Sequence, residues 1–353
     1  GKVCLISNRV HCMFKLLALS AALALLAGVV PTLAAAATCT GQDMIATLPA
    51  ADRAILDDAV AAAPFPTGNH WRASKGRVTI DVIGTFHLYD ARMDGHLNAL
   101  MPTLRKADAI YLEATDAEFA ALKEATISRP ELLFTSGATL PERLPEADWQ
   151  LLSREMTARG VPAFLAAKMQ PWYVSVLLAV PPCAMASMAG GPAGMDHMIA
   201  EVAKTLGTPT HALEPYDTVF RIFDRIPDAD QIQMIRMSLP LVSDAEDMLA
   251  TMAASYDREE HRQIWEYSRL VSLAATPADP ATTEAALAEM EATLITDRNR
   301  AWAEKILSEA ADTSQIVKEK HLVIAVGAGH LARTKGLLNL FKSAGYDLTR
   351  EAF

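Results

Sequence analysis

The sequence predicts an α/β fold, with a central, mostly parallel sheet, flanking helices and a large helical insertion. Three observations carry this expectation. Short β-branched runs at residues 78–83 and 321–326 each end at a glycine turn that is followed by a histidine. The first run, a helical stretch at 95–106 and a second apolar run at 109–112 follow one another at the spacing of a βαβ unit, which implies parallel strands. Residues 228–309 read almost wholly as alanine-rich, acidic helix, split at Pro277 and Pro280.

The chain has 353 residues. At about 100–200 residues per domain that permits one domain or two. Because sheet elements open and close the chain, one domain over 38–353 with a helical insertion at 228–310 fits better than two in tandem. The first 37 residues stand apart. Lys15 precedes an apolar run at 16–30, Pro31 breaks it, and small residues follow at 34–37. A basic start, an apolar middle and a small-residue exit read as a secretory signal peptide. A retained anchor is the alternative, but the run falls short of the roughly 20 residues that span a bilayer. No later stretch reads as a transmembrane segment.

Loss of residues 1–37 removes Lys2, Arg9 and Lys15 and no acid, so the net charge moves from −10 to −13. Such an acidic chain is a poor partner for nucleic acid, which is bound by Lys and Arg on phosphates. Cys4 and Cys12 leave as well, so Cys39 and Cys183 remain as an expected disulfide in an oxidising compartment, periplasmic or secreted. Lipid attachment at Cys39 is disfavoured by Thr38, which matches a lipoprotein cleavage box poorly.

The remaining elements follow in order. Residues 41–62 carry a helical pattern, and Pro64, Pro66 and Gly68 mark a loop. Helices are expected at 145–159, at 163–180 with an interruption near Pro171, and at Met195–Leu206, where Gly207 ends the pattern. A short strand is expected at 210–213. After the strand at 321–326 come a turn at 327–329, a helix at 335–344 and a last strand at 346–350.

Two places could carry chemistry. Gly84-Thr85-Phe86-His87 follows the first strand, and Gly327-Ala328-Gly329-His330 follows the late one. In α/β sheets, ligands bind outside the carboxyl ends of strands. One such histidine also reads as a core or capping residue. Two at strand ends point to imidazoles sharing one crevice, and with a carboxylate they make a familiar ligand set for a hydrolytic metal. Glu113, at the end of the adjacent strand, is the carboxylate candidate or else a salt-bridged structural residue. Glu214 stands the same way after 210–213. Asp196 is a further candidate, or only an acid favoured at a helix start. Arg298, beside Asn299, could bind a carboxylate or an oxyanion, or lie on a solvated helix face. Walker loops, Gly-x-Ser-x-Gly elbows and His-Glu-x-x-His motifs are absent from the sequence.

These motifs, together with Leu112-Glu113, Lys168-Met169-Gln170-Pro171-Trp172, Gly194-Met195-Asp196, Ala212-Leu213-Glu214, Arg298-Asn299-x-x-Trp302 and Val326 to Leu331, resemble the TraB/PrgY/GumN family over residues 75–350. The resemblance implies a relationship to Tiki-type metalloproteases and, more distantly, to erythromycin-esterase-like and ChaN-like haem-binding proteins. It implies an α/β core with helical additions. It also implies a divalent metal, manganese or cobalt rather than zinc, held by His87, His330 and Glu113, with Arg298 and Asn299 in a further motif. The reading is an exported metal-dependent hydrolase acting on a peptide or small-molecule substrate. Two rival readings are a peptide- or haem-binding protein and a metal-independent esterase. The family usually places Ala-Gly after its Gly-His-Leu. Here Ala332 is followed by Arg333, which puts a cation beside the site.

Overall fold

The structure, a computed structural model, describes residues 39–188, 194–275, 279–311 and 319–353. The expected signal segment, 1–37, and Pro277 lie outside the described residues. Among the described residues no helix is long and apolar enough to cross a membrane.

The strands are β1 (His70–Lys75), β2 (Val78–Thr85), β3 (Ala109–Leu112), β4 (Thr210–Ala212), β5 (Lys320–Gly327) and β6 (Asp347–Arg350). They form one sheet in the order β4-β3-β5-β2-β1-β6. β4, β3, β5 and β2 are mutually parallel, whereas β1 is antiparallel to both β2 and β6. The fold is thus mixed α/β with a mostly parallel sheet, as the sequence predicts.

β5 alternates between the two faces of the sheet. Val323 and Ala325 join Ile83, Ile110 and Leu112 under the helices Met93–Leu104 and Met195–Leu206. Leu322, Ile324 and Val326 join Ile80 and Val82 under Asp297–Ala311 and Leu337–Ser343, through Trp302, Ile306, Leu338 and Phe341. A sheet covered on both faces needs such apolar runs. Each large side chain buried there contributes about 1.5–3 kcal/mol by leaving water.

Several elements go beyond the sequence reading, among them β1 and the helix Asp116–Ser128. β1 has few apolar residues, and its polar side chains are accommodated by pairing, with His70 buried and Arg72 half-buried. Arg72 sits opposite Asp81 on β2, and Asp81 is fully buried between Arg72, His70 and His321. The helix Asp116–Ser128 carries no continuous apolar stripe. Its start is nevertheless written in the sequence as a capping box, in which Thr115 and Glu118 satisfy each other's backbone donors.

Other boundaries move for local reasons. The helix expected at 41–62 begins only at Ala50, because Pro49 precedes it and has no N–H to continue a ladder. Pro171 starts a new helix, Pro171–Ala179, after the short Ala163–Ala166. From 228 to 311 the described residues are mostly helical, in Asp228–Ser238, Ala245–Asp257, His261–Ala275, Pro280–Glu291 and Asp297–Ala311, with a turn at 258–260. A 3-10 segment, Leu239–Asp244, and a π-helical turn, Ala292–Thr296, interrupt them. Cys39 and Cys183 form the expected disulfide, closing 144 residues of sequence separation.

Candidate functional site

The site is positioned by the pairing of β2 with β5. Their register sets Gly84 beside Val326 and Thr85 beside Gly327. The two Gly-x-x-His turns therefore leave the sheet side by side, at its carboxyl edge. On the other side of β5, Leu112 of β3 pairs with Ala325, so Glu113 emerges at the same level. Its Oε1 accepts a hydrogen bond from the Gly327 amide at 2.7 Å.

Two glycines make this convergence sterically possible. A Cβ on Gly194 would lie 2.3–2.5 Å from the backbone of Phe86 and His87, so the start of the Met195–Leu206 helix packs directly on the first turn. Met195 N–H donates to the Phe86 carbonyl at 2.9 Å and locks that contact. A Cβ on Gly327 would stand 3.3 Å from both Glu113 Oε1 and His87 Nε2, and 3.7 Å from His330 Cδ2. The space that Gly327 leaves open is therefore bordered by both imidazoles and the carboxylate.

Asp196, in the first turn of its helix, lies with Oδ1 3.1 Å from His87 Nδ1. Burial disfavours the imidazolium of His87, but the Asp196 carboxylate, with a smaller contribution from Glu113, outweighs it and raises the pKa to about 9. His87 Nε2 is buried and has no hydrogen-bond partner, and the Thr85 hydroxyl is in the same condition. Buried polar atoms are satisfied in the great majority of cases, so two orphans at one strand end call for a ligand or water.

His330 is held differently. Its Nδ1 lies 2.7 Å from Asn299 Oδ1, while Asn299 Nδ2 donates to the carbonyls of His330 and Lys335 at 3.1 and 2.9 Å. The amide is thus oriented so that Nδ1–H of His330 donates to it. The lone pair then sits on Nε2, which faces Arg298 Nη1 at 3.3 Å. Burial first, and the Arg298 charge second, push the His330 pKa down to about 3.

Arg298 ties the cluster together. Its Nε and Nη2 donate to the two Glu214 oxygens at 2.8 and 2.6 Å, and Nη2 also donates to Glu113 Oε2 at 2.6 Å. Nη1 donates to the Leu294 carbonyl at 3.2 Å, and the guanidinium lies over the Trp302 ring, 4.6 Å from its centroid. Burial opposes ionisation of Glu113, yet Arg298 and both histidines lower its pKa to about 2. Glu214 shifts the other way, because burial and the Glu113 charge together exceed the pull of Arg298.

All seven sequence-selected polar residues, His87, Glu113, Asp196, Glu214, Arg298, Asn299 and His330, thus meet in one cluster. The solvated-face alternative for Arg298 does not hold, since the side chain is buried and its fork is engaged by Glu214. Arg333 does not point into the crevice. It pairs with Glu291 and lies over Trp265, with its backbone at φ 83°. Among the described residues, no three His, Cys, Asp or Glu side chains stand in a ready-made metal group. Sequence reasoning passed over Tyr256, whose hydroxyl donates to the Gly84 carbonyl at 3.0 Å and braces the first turn. It lies in the all-helical stretch with no local signature. Thr85 stood in plain view within the motif.

The model of the TraB/PrgY/gumN family matches residues 69–350, and the chain belongs to that family. No curated protein and no solved structure matches it.

Proposed function

We propose that this member of the TraB/PrgY/gumN family is an exported, metal-dependent hydrolase of peptide bonds, with its centre at the two Gly-x-x-His turns. The observation that carries the reading is the orphaned His87 Nε2, aimed into the space beside Gly327 that Glu113 and His330 also border. The donor chemistry fits a divalent ion. Both imidazoles have Nδ1 committed to a fixed acceptor, Asp196 or Asn299, and such outer contacts orient ligating histidines. His87 and His330 would hold the ion, with Glu113 as third donor or as the base beside it. When bound, the ion would supply a water acidic enough to ionise near neutrality and would polarise the scissile carbonyl.

The protein's own groups do the positioning. Asp196 accepts the Nδ1–H of His87, and an ion binding at Nε2 would displace the proton that the metal-free imidazolium carries there. Arg298 keeps Glu113 ionised. For Glu113 to turn to a ligand, Arg298 must release it, and the two bonds to Glu214 hold the guanidinium in place when it does. Export is supported by the Cys39–Cys183 disulfide, since such bonds persist in oxidising compartments. The mostly parallel sheet covered by helices on both faces supports an α/β core of the kind expected of erythromycin-esterase-like and ChaN-like relatives.

The test is metal content after loading with manganese, cobalt and zinc, wild type beside His87→Ala/His330→Ala. Near-stoichiometric metal that disappears in the double variant is expected. A metal-free wild type overturns the reading. One observation favours a second reading, a metal-independent esterase: Arg298 already supplies a cation against Glu113 and His330. Ester hydrolysis that survives exhaustive chelation would establish it.

A further inference from the structure

Outside the histidine centre, a cavity of about 410 Å³ opens between two helical walls. Ile222, Ile226, Met234 and Met237 line one wall, and Met290 and Leu294 line the other. Its apolar lining is interrupted at the rim by exposed Arg225, Asp230 and Glu289. Close-packed interiors hold few voids larger than a water molecule, whereas ligand pockets run to about 300–1,000 Å³. The size and lining are those of a ligand pocket.

Its place in the fold connects it to the centre. The first wall begins with the Thr218–Asp224 helix, which follows closely on Glu214. The second wall ends in the π-helical turn Ala292–Thr296, which leads directly into Arg298. Isolated π turns occur frequently at functional sites. The Glu214–Arg298 ion pair therefore joins the two walls at their site end, and Leu294 borders the cavity while its carbonyl holds Arg298.

We propose that this cavity receives an extended apolar chain of the substrate, with the polar, cleavable end lying toward Arg298. Its role as a specificity pocket rests on the hydrolase reading, whereas its capacity to bind an apolar chain does not. Methionine-rich linings suit such a ligand, because the flexible thioether side chains repack around apolar shapes. Two sources share this chemistry, a large aliphatic side chain of a peptide and a fatty acyl tail.

The experiment is a fluorescence titration of the folded chain with N-phenyl-1-naphthylamine, a neutral apolar probe. Saturable one-to-one binding is expected. Met237→Trp and Thr293→Trp fill the cavity from opposite walls, and each should weaken binding by about tenfold or more. Circular dichroism identifies a variant that fails to fold, and the other then carries the test. Displacement by decanoate identifies an acyl tail, and displacement by N-acetyl-leucinamide identifies a peptide side chain. Wild-type binding in the folded tryptophan variants, or displacement by neither compound, overturns the proposal. His87→Ala/His330→Ala should lose metal yet keep probe binding, so failure of the hydrolase reading and failure of this one give different results.

Discussion

The two Gly-x-x-His turns are near-copies in sequence, leave neighbouring parallel strands, and face one space, yet their histidines differ in charge. His87 meets a carboxylate, Asp196, and is held protonated up to about pH 9. His330 meets an amide, Asn299, and a guanidinium, Arg298, and stays neutral down to about pH 3. Both are buried, so desolvation opposes the charge on each. The partner alone decides the outcome. A motif places a ring; residues remote in sequence set its proton.

The strongest way to break this contrast is Arg298→Ala. It would leave Glu113 and Glu214 buried without their cation, and breaking a buried pair in this way costs about 3–5 kcal/mol. Urea denaturation should register that loss. A change below about 1 kcal/mol, the usual worth of a surface pair, would mean that Arg298 is not the clamp of the cluster.

The pH dependence of the metal-free protein separates the histidines next. The raised pKa of His87 contributes stability that is fully present below pH 6.5 and is lost as pH rises through about 9, a change on the order of 3 kcal/mol. His330 acts at the other end, where its lowered pKa makes stability fall as pH drops from 6.5 toward 3. Asp196→Asn should remove the alkaline loss and leave the acid limb. In an NMR titration it should lower the His87 pKa from about 9 to below the ordinary 6.5, because burial then acts with little opposition. An unmoved His87 resonance would assign its charge to some other group.

The smallest expected effect is Gly327→Ala. The added methyl would press on Glu113 Oε1 and His87 Nε2 at 3.3 Å, tighter than ordinary contact. A loss of about 1 kcal/mol is expected from such overpacking. Metal or ligand uptake should weaken more than stability does, because the methyl occupies the shared space. Unchanged uptake would show that the space beside Gly327 is not where the ligand sits.

Much of this was legible in advance. The strands expected at 78–83 and 321–326, which run on to Thr85 and Gly327, the helix starting at Met195 and the breaks at Pro171 and Pro280 all follow from local signals. β1 was hidden, because it is largely polar: His70 becomes buried only by pairing with Asp81, and Arg72 stays half-buried against the same carboxylate. The helix Asp116–Ser128 was overlooked although its capping box stood in the sequence. Arg333 was expected beside the site, and its side chain turned instead to Glu291.

The sequence by itself determined the β-branched apolar runs, the glycine turns that end them and the residues offered at each strand end. These depend on the backbone geometry of a few consecutive residues. The tertiary structure alone decided that β2 and β5 are neighbours in register, that Asp196 rather than an amide reaches His87, and that Arg298 spends its donors on Glu113, Glu214 and His330. Those contacts join residues 32 to 242 positions apart. At such separations they are fixed by how helices pack on the two faces of the sheet, and no local pattern records that packing.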